Sequence, residues 1–314
     1  MGWSFGLPQK RPAAAPTRAG DATIHAVQEQ KSRARKPRLP EHLLRALREE
    51  ARRQERRALL SPTKAPVGGT LVASYNVHKC VGMDKQFDPA RIAQVIAELG
   101  ADIVALQEAD QRFGERAALL DFKCIERECG LTAVPVRGAK NGHGWHGNVL
   151  LVRAAKVHDA HRIRLPGVEP RGALVVDLDL DAGPLRIVAA HLGLLRRSRA
   201  QQAAAILDAI AARPERPTLV LGDLNEWRVC DRSALQRLAH LFGPLAPALP
   251  SFPSRLPLFA LDRILGSPHH LVAHTEVHDT PLARVASDHL PVKARIDLAA
   301  AAAQGVAERA AIAA

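Results

Sequence analysis

The sequence predicts an α/β sandwich, with two sheets packed face to face and helices on the outside. Three observations predict it. Apolar strands and amphipathic helices alternate through the body of the chain. One strand–helix–strand pattern occurs twice, over residues 71–108 and 186–223. Asn76 to Glu108 is 32 positions and so is His191 to Asp223, so each unit ends both of its strands on a polar residue at the same spacing.

The elements follow in order. LVASYN, residues 71–76, is an apolar strand. Asp88-Pro89 starts a helix, with the carboxylate as cap and proline at the first position. Ile92, Val95, Ile96 and Leu99 follow at helical spacing, and Gly100 stops it. DIVALQ, 102–107, is the next strand and ends at Glu108. RIVAA, 186–190, is a strand ending in His191. Ser198 is expected to cap a helix running to about Arg213, with Ile206, Leu207 and Ile210 inward. TLVL, 218–221, leads to Gly222 and Asp223. Residues 147–153, 173–180, 261–265 and 292–298 read as further strands, several with half-buried alternation.

The chain has 314 residues, enough for one large domain or two small ones. Aromatics make up 4%, so the core must be aliphatic. No apolar run reaches membrane-spanning length, the N-terminus lacks a signal-peptide stretch, and Gly6 stands where a myristoylation motif needs Ser or Thr. Cys80 and Cys230 are isolated, and Cys124 and Cys129 lack a second pair, which reads as reduced thiols in the cytoplasm. The net charge is +12, from 44 Lys+Arg and 32 Asp+Glu. Residues 1–66 hold 15 basic and 6 acidic residues, which leaves 29 against 26 for the rest. The charge therefore belongs to an arm. Residues 1–66 are read as that arm, largely disordered, with a charged helix near 41–60. Residues 67–298 are read as the folded domain, and 299–314 as an alanine-rich tail. The arm is a candidate to meet nucleic acid or an anionic membrane surface, peripherally at its inner face. A monomer is expected.

Polar residues gather at the strand ends: Asn76, Glu108, His191, Asp223, Asn225, Asp262 and the run Ser287-Asp288-His289. Asp223 and Asn225 are two apart, so an extended chain would aim them to one side. Loops on a rigid sheet are where catalytic groups collect. Carboxylates with amide oxygens suit a hard cation such as Mg²⁺ or Mn²⁺. Two histidines can donate to phosphate, and an aspartate can activate water. His143 and His146 sit in a glycine-rich loop read as a pocket edge, and the proline-rich loop 242–257 is expected to shape the pocket.

SYNVHK, LQEAD, GNVLLVR, AAHLG, LGDLNEW, ALDRIL and ASDHLPV together resemble the successive motifs of the endonuclease/exonuclease/phosphatase superfamily, which includes exonuclease III-like and deoxyribonuclease-like enzymes. The resemblance spans about residues 70–298. It implies a four-layer α-β-β-α sandwich with two packed mixed sheets, and metal-dependent phosphoester hydrolysis. By the same resemblance Glu108 is the main metal ligand, with Asn76 beside it. Asp223 orients or deprotonates the attacking water, Asn225 bonds the phosphate or that water, and His191 contacts a phosphate oxygen. Asp288 pairs with His289 and fixes its ring, His289 stabilises charge on phosphorus, and Asp262 supports the site near the metal. Asn148 and Arg171 are the candidate substrate contacts. The expected activity is phosphodiester hydrolysis of nucleic acid or a lipid headgroup. The alternatives are a phosphomonoesterase for a small metabolite and an inert binding protein that works through its basic arm.

Overall fold

A computed structural model describes residues 69–111, 118–137, 144–228, 230, 232–245 and 249–301. The chain divides into two units, residues 1–46 and 47–314, and none of the first is described. The expected arm, its helix near 41–60, most of the alanine-rich tail and His143 lie outside the described residues.

Two mixed sheets form the centre. The first is built from β1 (Thr70–Asn76), β2 (Ile103–Gln107), β3 (Thr132–Ala133), β4 (Val149–Val152), β10 (Val272–Val277) and β11 (Val292–Ile296), in the order β10-β11-β1-β2-β4-β3. The second is built from β5 (Lys156–Leu165), β6 (Arg171–Leu180), β7 (Gly183–His191), β8 (Thr218–Asp223) and β9 (Asp262–Ser267), in sequence order. The predicted repeat is the parallel pair of each sheet: β1 with β2, and β7 with β8. Parallel neighbours need a crossover, and a helix supplies it in both units.

The first crossover holds α1 (Pro89–Leu99). Asp88 caps it by accepting from Arg91 N at 3.0 Å, and Gly100 closes it at φ 60°. Ile92, Val95, Ile96 and Leu99 pack on Ala73, Tyr75, Val104 and Leu106, the outer face of the first sheet. A short helix, α2 (Phe122–Cys129), adds to the same layer. The second crossover holds α3 (Arg196–Ala211), which sets Ala203, Ile206 and Ile210 on Val175, Val188 and Val220. Between the sheets lie Val72, Ile103, Leu150, Leu174, Ile187, Leu219 and Ile264. Helix, sheet, sheet, helix is the four-layer order expected.

Ser198 does not cap α3. The helix starts two residues earlier, and Ser198 is buried in its first turn. Side chains from elsewhere hold the approach: Gly193 N donates to Gln202 Oε1 at 2.8 Å and Leu194 N to Glu169 Oε1 at 2.7 Å. β5 and β10 have no counterpart in the sequence reading. Both are edge strands whose residues are largely exposed or half-buried, so they lack the apolar runs that betray a strand. All four cysteines are free. Among the described residues no helix is long and apolar enough to cross a membrane.

Candidate active site

Strand alternation builds most of the site. Residues two apart on a strand share a face. Val72 belongs to the inter-sheet core, and so do Ile187 and Ala189, Leu219 and Leu221, and Ile264. Carried forward two residues at a time, those stripes end in Asn76, His191 and Asp223; carried back from Ile264, the stripe starts with Asp262. Register aligns the ends: His191 stands opposite Asp223, and Asp223 opposite Asp262. Asn76 comes across from the other sheet, and its Nδ2 donates to Asp223 Oδ2 at 2.9 Å.

The Asp223–Asn225 pair does not arise as expected. β8 ends at Asp223, and Asn225 takes φ 52°, so the two no longer share a strand face. A turn joins them instead, in which Asp223 Oδ1 accepts from Asn225 N at 3.0 Å. The Asn225 amide donates to Leu192 O at 3.0 Å. Gly222 permits this corner. At φ 149°, a Cβ there would lie 1.8 Å from Ala190 O.

Glu108 has the wrong parity to face the inter-sheet core, because Leu106 packs under α1. Its φ of 54° turns it back, so it lines a small pocket of about 30 Å³ with Lys79, Asp110, His146, Arg171 and His191. His146 is therefore at the pocket, as its loop suggested. Lys79 Nζ lies 2.5 Å from Glu108 Oε2. Burial opposes the Glu108 charge, but Lys79 outweighs it and holds the carboxyl below its usual range. Arg171 is anchored by Glu169 at 2.8 Å, and its Nη1 is 2.9 Å from each ring nitrogen of His191. His191 Nε2 is 3.4 Å from Asp223 Oδ2.

His289 reaches the same carboxylate, with Nε2 3.7 Å from Asp223 Oδ2. Its partner is not Asp288, as expected, but Asp262, whose Oδ2 is 2.8 Å from Nδ1. Asp262 is fixed in turn by Ser251, whose hydroxyl donates to Oδ2 at 2.5 Å. Phe252 packs against the imidazole, with ring centroids 4.8 Å apart. Ser251 and Phe252, of the proline-rich stretch, thus brace the Asp262–His289 pair. Asp288 points elsewhere: Ser287 Oγ is 3.5 Å from its Oδ1, and His78 Nδ1 is 3.7 Å away. Neighbouring residues alternate in direction, so an acid next to the histidine in sequence cannot easily turn back to its ring. Asn148 is fully buried, and its amide donates to Trp145 O and Gly172 O at 3.1 and 2.9 Å, which ties the two sheets together beside the pocket.

The electrostatics separate the roles. Burial opposes the charge of His289, yet Asp262 and Asp223 outweigh it and push the imidazolium up to about 10. Burial raises Asp223 to about 6, against the pull of His289. The two carboxylates favour the charged form of the histidine, and burial raises the basicity of the aspartate.

Two places could hold a metal. Ligand atoms of Asp223, Asp262 and His289 lie within 4.8 Å of one another. There the Nδ1 of His289 and the Oδ2 of Asp262 already engage each other at 2.8 Å. Glu108 fits better. Its carboxylate is ionised and already attracts an ammonium, and Asn76 offers an amide oxygen with one lone pair beyond the bond it accepts from His78 N at 3.0 Å. Oxygen donors of this kind suit a hard cation.

A larger hollow of about 650 Å³ lies at the opposite strand ends, against Gly183, Thr218 and Ser267. Two of its arginines, Arg186 and Arg216, are paired to Asp177 and Asp179, and no comparable constellation stands there among the described residues.

Comparison with known proteins agrees with this geometry. No curated protein gives a significant sequence match. Among solved structures, an endonuclease/exonuclease/phosphatase from Beutenbergia cavernae is 22% identical with a TM-score of 0.55, covering 72% of this chain and 71% of that one. A mannosyl-6-phosphatase from Bacteroides thetaiotaomicron is 18% identical with a TM-score of 0.53, covering 72% and 99%. The human Nocturnin catalytic domain with a bound sulfate anion is 20% identical with a TM-score of 0.52, covering 72% and 93%. These likenesses establish a shared fold. The model of the Endonuclease/Exonuclease/phosphatase family matches residues 73–289, which include all the polar strand-end residues described above. The chain belongs to that family, whose members are hydrolases of phosphoester bonds and generally need a divalent metal.

Proposed function

We propose that this protein is a divalent-metal-dependent phosphodiesterase. The observation that carries the reading is the buried Asp223 carboxylate, oriented by Asn76 and flanked by His191 and by the His289–Asp262 pair. Asp223 is the general base: its raised value near 6 suits proton transfer near neutral pH. His289, backed by Asp262 at Nδ1 and favoured in its charged form by the two carboxylates, acts as a positive charge and donor toward the phosphoryl oxygens. Asp223 removes the proton of a water as its oxygen bonds to phosphorus, and the ester oxygen leaves with a proton from solvent. Asn225 keeps one amide hydrogen free beyond its bond to Leu192 O, enough to hold that water or the phosphate. Arg171 with His191 orients the phosphate. A bound Mg²⁺ or Mn²⁺, held by Glu108 with Asn76, supplies the charge that polarises the phosphoryl group.

Charge balance favours a diester over a monoester. With the metal counted, Lys79, Arg171 and His289 are offset by Glu108, Glu169, Asp110, Asp223 and Asp262, which suits a monoanionic diester better than a dianion. In the same reading residues 1–66, with 15 basic and 6 acidic residues, tether a cytoplasmic monomer to nucleic acid or anionic membrane. The test is hydrolysis of bis(p-nitrophenyl) phosphate against p-nitrophenyl phosphate with Mg²⁺. The diester should be the better substrate, and preference for the monoester would favour the phosphomonoesterase alternative.

A further inference from the structure

We propose that the groove along the free edge of β5 is an exosite holding a single-stranded nucleic-acid backbone on its way into the catalytic pocket. The inference rests on the phosphodiesterase reading and names its substrate class. β5 is the terminal strand of its sheet, and a groove of about 470 Å³ runs beside it.

Arg137 and Arg162 line that groove from the two sheets, and Arg164 flanks it two residues further along β5. Arg162 stands opposite Leu174 and Arg164 opposite Gly172. Leu174 belongs to the inter-sheet core, so both arginines point to the gap between the sheets. Arg137 enters from the edge of the other sheet, four residues past β3. His161 also lines the groove. Among the described residues, Arg137, Lys156, His161 and Arg164 make no ion pair. Arg162 lies over the Trp145 ring at 4.6 Å, which holds its guanidinium flat and leaves its N–H edge for phosphate. Asp159 is the one acid along the groove. On neighbouring β6, Asp177 and Asp179 are taken up by Arg186, Arg216 and His158. Positive charge is therefore concentrated on one edge of a body that is close to neutral.

A chain of contacts links the groove to the pocket, from Arg162 over Trp145 to His146. Trp145 contacts His146 at 4.5 Å, and His146 lines the pocket with Arg171. In register, Leu165 stands opposite Arg171. At about 3.3 Å per residue, Arg162 lies roughly 10 Å along the strand from that point and Val157 roughly 26 Å. That is the reach of a few nucleotides. A lipid headgroup would bring one phosphate to the pocket and leave this edge unused. A row of phosphates would use it.

The test compares the wild type with Arg137→Glu/Arg164→Glu, two exposed positions outside the catalytic pocket, and with Arg162→Gln. With Mg²⁺ present, each is assayed on bis(p-nitrophenyl) phosphate, on single-stranded DNA and RNA oligonucleotides, and on phospholipid vesicles. On oligonucleotide, kcat/KM should fall by about tenfold or more through KM, and its salt dependence should become shallower. On the small diester it should stay within about twofold. Equal losses on both substrates, or none on oligonucleotide, would overturn the exosite, and so would a wild type that cleaves the small diester but no oligonucleotide. Turnover of vesicles alone would assign the site to lipid. A wild type that hydrolyses no diester would instead sink the phosphodiesterase reading. Fluorescence anisotropy with labelled oligo-dT then still decides on the groove: the charge-reversed variant must bind about tenfold more weakly, and equal binding overturns the proposal.

Discussion

Asp262 and His289 stand 27 residues apart in sequence, and their side chains meet at 2.8 Å in the interior. The acid adjacent to the histidine, Asp288, does not make this contact. His289 Nε2 is also 3.7 Å from Asp223 Oδ2, so the charge on His289 is favoured by two carboxylates, one of them hydrogen-bonded. Much of the predicted chemistry depends on that arrangement.

Removing the acid should therefore release the proton. In Asp262→Asn, the His289 titration, followed by NMR in the metal-free protein, should move down from about 10 toward the ordinary range. Turnover should fall on the order of 10²-fold. Asp288→Asn should move the His289 titration much less. The reverse ranking of the two variants would return the pairing role to Asp288.

Asp223 sets the acid limb of the rate. A base must be ionised, and its folded value is raised to about 6. Activity should thus be lost as pH falls through about 6. Asp223→Asn should lower kcat on the order of 10²-fold or more and abolish that limb in the residual rate. An acid limb that persists in the variant would point to another base.

Asp177 and Arg186 tie β6 to β7 through two bonds at 2.7 and 2.9 Å, with the arginine side chain 1% exposed. Burial opposes the Asp177 charge, but Arg186 outweighs it and keeps the carboxyl below its usual range. Its unfolded value is about 3.9. The stabilisation is thus complete above that value and is lost as pH falls toward the depressed folded one. Asp177→Asn strands a buried guanidinium and should cost about 3–5 kcal/mol at neutral pH. Denaturant melts should show a smaller difference from wild type at low pH. A constant difference would mean the pair does not titrate with folding.

Deleting residues 1–66 should leave turnover of a small soluble diester within about twofold. Binding to anionic vesicles or DNA should weaken and lose part of its salt dependence. Unchanged binding to both would assign the arm no electrostatic role.

Most of the site could be read from the sequence because strand ends are regular. Asn76, His191, Asp223 and Asp262 all continue or begin apolar stripes of period two, and the repeated 32-residue spacing follows from two parallel pairs with helical crossovers. What escaped depends on backbone turns and on distant contacts. His78, Lys79 and Cys80 all take positive φ, so no periodicity marks Lys79 as the partner of Glu108. Glu108 and Asn225 are also re-aimed by positive φ. The Asp262–His289 pair joins two sheets, where the resemblance implied Asp288. Glu226 was passed over within LGDLNEW. It is buried, accepts from Ala234 N at 3.1 Å and pairs with Arg199 at 3.2 Å, and so secures the loop behind Asn225. Its partners come from sequence segments that carry no motif.

The central claim is tested most directly by one assay: hydrolysis of bis(p-nitrophenyl) phosphate by the full chain and by Glu108→Gln, across a Mg²⁺ titration and after EDTA. The wild type should be active with Mg²⁺ and stopped by EDTA, and Glu108→Gln should need far more Mg²⁺ to reach a lower rate. Wild-type hydrolysis that survives EDTA, or a variant with an unchanged Mg²⁺ requirement, would contradict the account.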